Sequence, residues 1–207
     1  MVTLRERYDA FLFDLDGVLY RGEEPIRGAA EAVSALREAG RGIAFVTNNS
    51  ARPPREVADR LVRVGVDASP EEVVTSAEPT AQMLAGRGYR SAFVVGEDGL
   101  RGALSDAGIE VLRGAPTGAD AVVVGWDRAA DYASLRTASI LVERGAAFVG
   151  TNGDASFPAP DGTRWPGVGA LIAAIATTTG IAPEISASRT RRSSWRAASA
   201  PVVGGPS

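Results

Sequence analysis

Three common side chains are missing from this sequence, and each absence removes a class of chemistry. There is no cysteine, so disulfides, thiolate nucleophiles and cysteine–zinc sites are excluded. There is no histidine, which rules out Ser-His-Asp triads, HExxH metalloprotease sites and imidazole bases. There is no lysine either, since all 22 basic residues are arginine; Schiff-base chemistry and the Walker A lysine go with it. Aromatic residues make up only 6%, and the three Trp and four Tyr form no stacking array for single-stranded nucleic acid. Net charge is −3, with no basic stripe before residue 188 to invite nucleic acid. No apolar run reaches the length of a membrane span, and MVTLRERYDA at the N-terminus has no secretory h-region. A cytoplasmic location is therefore expected, with neither nucleic acid nor membrane as partner. Catalysis would have to rest on carboxylates, hydroxyls, amides, arginine and a bound cation. A cation held by carboxylates is hard, and Mg²⁺ is the natural candidate.

What is present is an alternation of strands and helices. The chain has 207 residues and is 45% hydrophobic, enough for a sizeable core in one or two domains. Residues 8–14 read as a short buried strand, and 26–39 as a helix stopped by Gly40. Residues 43–47 read as a second strand ending in Asn48, Asn49 and Ser50. Pro53 and Pro54 open a helix to about Val64, and Val73 with Val74 forms a third strand. Strands at 92–95, 121–124 and 147–149 follow, with helices at 98–107, 131–143 and 169–178. This pattern predicts parallel sheets with helices on their faces. A hinge between two α/β units is expected near residues 75–78. Residues 188–207 carry no helical or strand period; rich in Ser, Ala and Arg, they read as a disordered tail.

The chemistry concentrates in FLFDLDGVLY, residues 11–20. In open α/β sheets ligands bind beyond the carboxyl ends of the strands, and Asp14 sits at such an end. Asp16 follows two residues on, and a turn at Gly17 can bring both carboxyls toward one point. Two acids so placed repel unless a cation lies between them or one holds a proton. Either arrangement serves phosphoryl transfer: Asp14 as nucleophile, Asp16 as general acid and then general base. The alternative is ordinary Asp-Gly turn chemistry at a strand exit. The second motif, VTNNS at 46–50, lies at the end of the next strand. Thr47, Asn48 and Asn49 offer a hydroxyl, amides and backbone N–H groups suited to phosphate oxygens. Its alternative is simple N-capping by Asn or Ser.

DLDGVLYRG, FVTNNSARPP and FVGTNGDASFPAPDGTRWPGVGA, in that order, resemble the haloacid dehalogenase-like (HAD) superfamily of hydrolases, and in particular its class IIA branch, the NagD and p-nitrophenylphosphatase-like phosphatases. The resemblance spans roughly residues 8 to 184. It implies an α/β fold: a Rossmann-like parallel-sheet core, incomplete at the C-terminus, with a large inserted α/β cap. The implied division is 1–75 for the N-terminal part of the core, 76–180 for the cap, 181–187 for the return to the core and 188–207 for the atypical tail. It implies a Mg²⁺-dependent phosphatase acting on a small phosphorylated metabolite through an aspartyl phosphate. Asp14 would be nucleophile and metal ligand. Asp16 would be acid/base and lend its backbone carbonyl to the metal. Thr47, Asn48 and Asn49 would hold the phosphate. Residues 151–154 and the turn at Asp161–Gly162 match family positions; they are expected to be turns that close the cap. Members of the branch often dimerise through the cap, and the resemblance carries a homodimer as an option here.

The sequence departs from the family after the cap. A Lys in a Gly-Lys-Pro context and a Gly-Asp-x-x-x-x-Asp segment are expected there. Instead Pro183 and Glu184 are followed by Ile185, Ser186 and Ala187, no acid follows Glu184, and the chain reads VVGGPS at its end. The tail is expected to be an out-of-frame reading or a sequencing error in a longer gene, the alternative being a natural short variant that folds with a partner or a rearranged edge. Loss of two electrostatic groups, each worth on the order of 10²–10³ in rate, predicts impaired activity. The competing function is a catalytically inactive relative that binds a ligand or partner. A nucleotide-dependent oxidoreductase is the weakest option, because neither GEDGLRG nor GVGALI spaces its glycines as GxGxxG. Trp165 is expected to pack the cap or to wall a substrate pocket.

Overall fold

The computed structural model describes residues 3–158 and 162–186; Asp161 and the tail expected at 188–207 lie outside the described residues. The first part of the chain runs α1 (Leu4–Arg7), β1 (Ala10–Asp14), β2 (Tyr20–Arg21), β3 (Glu24–Pro25), α2 (Ala29–Glu38), β4 (Gly42–Val46), α3 (Pro54–Arg63) and β5 (Val73–Val74). Strands β1, β4 and β5 form a parallel three-stranded sheet in that order. Helices α2 and α3 make the two crossovers. In α3 the buried residues Val57, Ala58 and Leu61 fall on one helical face, and a Pro in its first turn costs no hydrogen bond. They meet Leu15, Leu19, Val33 and Phe45 in a single apolar cluster. Strands β2 and β3 form a small antiparallel hairpin beside it.

β1 is not the buried strand expected from its composition. It pairs with β4 on one side only, and among the described residues its other edge has no strand partner. Its burial alternates, so Phe11 and Phe13 are half-buried while Leu12 is 62% exposed. An edge strand with one covered face has this pattern.

The second part runs α4 (Ala77–Gly86), β6 (Ser91–Val95), α5 (Asp98–Asp106), β7 (Glu110–Leu112), β8 (Ala121–Val124), α6 (Tyr132–Glu143), β9 (Ala147–Gly150), β10 (Ser156–Pro158), β11 (Arg164–Pro166), α7 (Val168–Thr179) and β12 (Glu184–Ile185). The order β12-β9-β8-β6-β7 makes a five-stranded, all-parallel sheet. Residues of α4 and α5 join the apolar cluster on one face, and those of α6 and α7 the cluster on the other. β8 is therefore covered on both sides, and its sequence AVVV is buried at every position. Strands β10 and β11 form an antiparallel hairpin. The fold is thus mixed α/β built on parallel sheets. No helix among the described residues is long and apolar enough to cross a membrane.

Residues 181–186 follow α7, and a short strand in them joins the second sheet. Glu184 and Ile185 pair in parallel with Val149 and Gly150, extending the second sheet. Arg87 holds the strand there, donating to both carboxylate oxygens of Glu184 at 2.5 and 2.8 Å. The segment expected as a hinge is a helix start, in which the Glu78 carboxylate accepts from the Thr75 N–H and hydroxyl at 2.9 and 2.7 Å. Trp165 lies in the β10–β11 hairpin and is 43% exposed, so it does not pack an interior.

Candidate active site

The acidic turn is built by anchoring both of its ends in the core. Leu15 and Leu19 are each 1% exposed, and the Leu19 N–H donates to the Leu15 carbonyl at 2.9 Å. Between them the chain must reverse. Gly17 does this at φ 82°, donating its N–H to the Tyr20 carbonyl at 2.7 Å. Space is not the constraint, since a Cβ at Gly17 would meet nothing within 4 Å; the left-handed torsion is. The result leaves Asp14 and Asp16 exposed at the end of β1. Asp14 accepts the Leu15 N–H at 2.8 Å through Oδ1.

The electrostatics differentiate the two acids. The Asp16 pKa is pushed up, first by loss of water around its carboxyl and then by the neighbouring Asp14 charge, against the pull of Arg60. Asp16 keeps an exposed surface, yet its carboxyl is surrounded closely enough for this desolvation to dominate. Tyr20, joined to Asp16 by a β-bridge, is pushed up to about 12 by burial and by the Asp16 charge. Arg60 stacks over the Tyr20 ring at 4.3 Å and donates to the Gly22 carbonyl at 2.6 Å. Among the described residues neither Asp14 nor Asp16 forms an ion pair with an arginine, so no guanidinium caps the pair.

The β1–β4 register sets Asp14 opposite Val46, so Thr47 begins the loop next to the acidic turn. Thr47 is buried and its backbone N–H donates to the Val74 carbonyl at 3.0 Å. Its hydroxyl accepts the Asn49 N–H at 3.2 Å, and the Asn49 side-chain oxygen accepts the Ala51 N–H at 2.9 Å. Asp16, Thr47 and Asn49 line one narrow recess with Tyr20, Arg52 and Arg60. Asn48 is not among the residues lining that recess; its side-chain amide donates to the Asp154 carboxylate. A larger crevice lies beside the recess, lined by Arg52, Pro53 and Glu56 of the first part and by residues of the second, with Arg52 common to both.

Residues 151–154 do more than form a turn. The Asn152 amide donates to the Asn48 carbonyl at 3.0 Å, and the Ser76 hydroxyl donates to the same carbonyl at 2.7 Å. The Ser50 and Thr151 hydroxyls are 3.3 Å apart. Gly99 donates its N–H to the Ala51 carbonyl at 3.0 Å, and a Cβ at Gly99 would come within 2.7 Å of the Ser50 carbonyl. The second part of the chain thus clamps the Thr47–Arg52 loop. Asp154, Asn152, Arg52 and Arg60 went unassigned in the sequence reading. Their positions depend on long-range packing; only the spacing of TNGD marked two of them.

The donor set suits a divalent cation in part. Asp14 and Asp16 place two carboxyl groups on one turn, and among the described residues neither is paired with an arginine. Mg²⁺ is commonly held by one or two carboxylates, completed by water and substrate phosphate. No cluster of three acidic, histidine or cysteine ligands occurs among the described residues.

Comparison with known proteins agrees with this architecture. Residues 11–110 match the family described as haloacid dehalogenase-like hydrolase. The chain is 39% identical to the 5'-nucleotidase YutF of Bacillus subtilis over 177 residues, covering 85% of this chain and 68% of that protein. It is 38% identical to the acid sugar phosphatase of Staphylococcus epidermidis over 180 residues, covering 86% and 68%. Its structure matches a glycerol phosphate phosphatase from Mycobacterium tuberculosis in complex with magnesium, with TM-score 0.85 and 34% identity over 90% of this chain and 56% of that one. It also matches a 4-nitrophenylphosphatase from Thermotoga maritima, with TM-score 0.80 and 30% identity over 89% and 69%. The chain belongs to the haloacid dehalogenase-like hydrolases. Within them its relatives are the NagD and p-nitrophenylphosphatase-like phosphatases, of whose length it spans between about half and two thirds.

Proposed function

We infer that this chain is a phosphomonoester hydrolase acting on small phosphorylated metabolites with Mg²⁺ as cofactor. The observation that carries the reading is the placement of Asp14 and Asp16 at the end of β1, uncapped by arginine and in parallel register with the strand that delivers Thr47. In this reading residues 1–75 are the N-terminal part of the core and residues 76–180 its cap. Asp14 Oδ2 attacks phosphorus and the bond from phosphorus to the ester oxygen breaks. The leaving oxygen takes its proton from the Asp16 carboxyl. Water then attacks the aspartyl phosphate; Asp16 accepts its proton, and Asp14 is released with inorganic phosphate. The raised Asp16 pKa supports the acid role, because it keeps a proton available at higher pH. Thr47 and Asn49 position phosphate oxygens, while Asn48 fixes the loop through Asp154. Mg²⁺ held by the Asp14 carboxylate and the Asp16 backbone carbonyl would lessen repulsion between the anionic ester and the anionic nucleophile.

The relatives' names cover a nucleotidase, a sugar phosphatase, a glycerol phosphate phosphatase and a nitrophenylphosphatase. This breadth supports a small phosphomonoester as the substrate class and selects no single compound. A cytoplasmic location and a homodimer through the second part of the chain belong to the same reading; light scattering that returns a monomer removes the dimer from it. The test of activity is turnover of p-nitrophenyl phosphate and a panel of sugar, nucleotide and glycerol phosphates with Mg²⁺. Asp14→Asn should fall to background, and Asp16→Asn by about 10²–10⁴. A second reading, an inactive ligand-binding relative, draws on the absence of lysine and of a third carboxylate among the described residues. No turnover above the Asp14→Asn control selects it.

A further inference from the structure

The Asn48 carbonyl accepts two hydrogen bonds, and both donors belong to the second part of the chain. The Ser76 hydroxyl donates to it at 2.7 Å and the Asn152 amide at 3.0 Å. A carbonyl oxygen has two lone pairs, so both are taken. Ser76 and Asn152 are buried, which keeps bulk water from competing for either bond. Each donor is itself held. The Ser76 carbonyl accepts from the buried Thr80 hydroxyl at 2.7 Å, and the Asn152 side-chain oxygen accepts the Asp154 N–H at 3.0 Å.

A peptide unit is planar. Fixing the Asn48 carbonyl therefore fixes the direction of the N–H at the other end of the same unit, which belongs to Asn49. That N–H donates to the Thr47 hydroxyl oxygen at 3.2 Å. A threonine hydroxyl has two lone pairs and one proton. Here one lone pair is occupied by Asn49, and among the described residues the proton has no acceptor. Thr47 is buried and lines the recess that also holds Asp16. Its proton is thus available to an anion in that recess, through a charge-assisted bond whose strength depends on aim.

We propose that Ser76 is a positioning residue for phosphate recognition: its hydroxyl holds the Asn48 carbonyl, which keeps the Asn49 N–H on the Thr47 oxygen and turns the Thr47 O–H toward the phosphate. Ser76 is not among the residues lining the recess; it acts through the loop, from the position just before α4. The inference rests on the reading of Thr47 as a phosphate ligand and adds what orients its hydroxyl.

The test is a double-mutant cycle on the full chain: wild type, Ser76→Ala, Thr47→Val and the two combined. Ser76→Ala leaves the Asn152 amide on the Asn48 carbonyl, so no buried oxygen is orphaned and the variant is expected to fold. Two quantities are read with Mg²⁺ present: KM and kcat for p-nitrophenyl phosphate, and the Kd of inorganic phosphate by calorimetry. Ser76→Ala should raise KM and the phosphate Kd by about three- to tenfold, the scale of one hydrogen bond, with kcat within about twofold of wild type. Thr47→Val should raise both by roughly tenfold or more. Because Ser76 acts through Thr47, adding Ser76→Ala to Thr47→Val should cost nothing further. A merely structural role would instead multiply the two effects, and that result overturns the proposal, as does an unchanged KM and Kd in Ser76→Ala. Wild type that binds phosphate without turnover defeats the hydrolase reading alone, and the phosphate cycle then decides the role of Ser76. Wild type that binds no phosphate overturns the proposal as well.

Discussion

Asp14 and Asp16 are two residues apart, yet their surroundings differ. Asp16 sits where water is partly stripped away and Asp14 adds its repulsion, so its pKa rises above the usual aspartate value of 3.8. The folded state therefore prefers the protonated carboxyl. That preference contributes stability fully below the ordinary pKa, and the contribution is lost as pH rises through the raised one. Asp16→Asn is neutral at every pH. In metal-free buffer it should melt higher than wild type at neutral pH, with the gain shrinking to nothing at pH 3. Scanning calorimetry at the two pH values reads this, and an equal shift at both contradicts it.

At the scale of elements, the central strand of the first sheet is β4, and Phe45 is its key side chain. Phe45 is completely buried and lies 6.2 Å from the Phe13 ring. Phe45→Ala should cost about 3–5 kcal/mol. For a chain of this size that lowers the melting temperature by roughly 6 °C or more, measurable by circular dichroism; a drop below 2 °C would mean that the first sheet melts apart from the rest. The strands and helices that were legible in the sequence are those whose apolar period is complete. AVVV at β8 and the Val57–Leu61 stripe of α3 carry their own signal. Apart from β5, the short strands were not legible. β2, β3, β7, β10, β11 and β12 each have only two or three residues, too few to show a period of two. Their pairing is fixed by neighbours far along the chain, as Glu184 is by Arg87. The same reason hid the burial of β1: a run of apolar residues does not reveal whether one edge of its strand is unpaired. The placement of Asp14, Asp16, Thr47 and Asn49 at or just beyond strand ends was legible from the apolar runs that precede them. The Asn48 contact to Asp154 was not legible, because the two residues are 106 apart in the chain.

On the scale of the whole molecule, the two sheets meet where the second part of the chain grips the loop after β4. Asp154 is exposed, so Asp154→Ala should cost little stability, on the order of 1 kcal/mol for one hydrogen bond. It should nevertheless raise KM for a phosphomonoester more than it lowers kcat, because the loop carrying Thr47 and Asn49 loses a restraint. An unchanged KM contradicts this role for the clamp. Metal binding belongs to the same scale, since a cation that binds only the folded chain stabilises it by mass action, by about 2.7 kcal/mol at a hundredfold excess over Kd. Mg²⁺ should therefore raise the melting temperature of wild type and leave Asp14→Asn unmoved at matched ionic strength. The most direct test of the account is chemical trapping of the nucleophile. The chain is mixed with p-nitrophenyl phosphate and Mg²⁺, quenched, and treated with borohydride, which reduces an acyl phosphate to the alcohol; peptide mass spectrometry then locates the change. The account predicts conversion of Asp14 to homoserine and of no other acid, whereas turnover with Asp14 unmodified, or with a different carboxylate reduced, contradicts it.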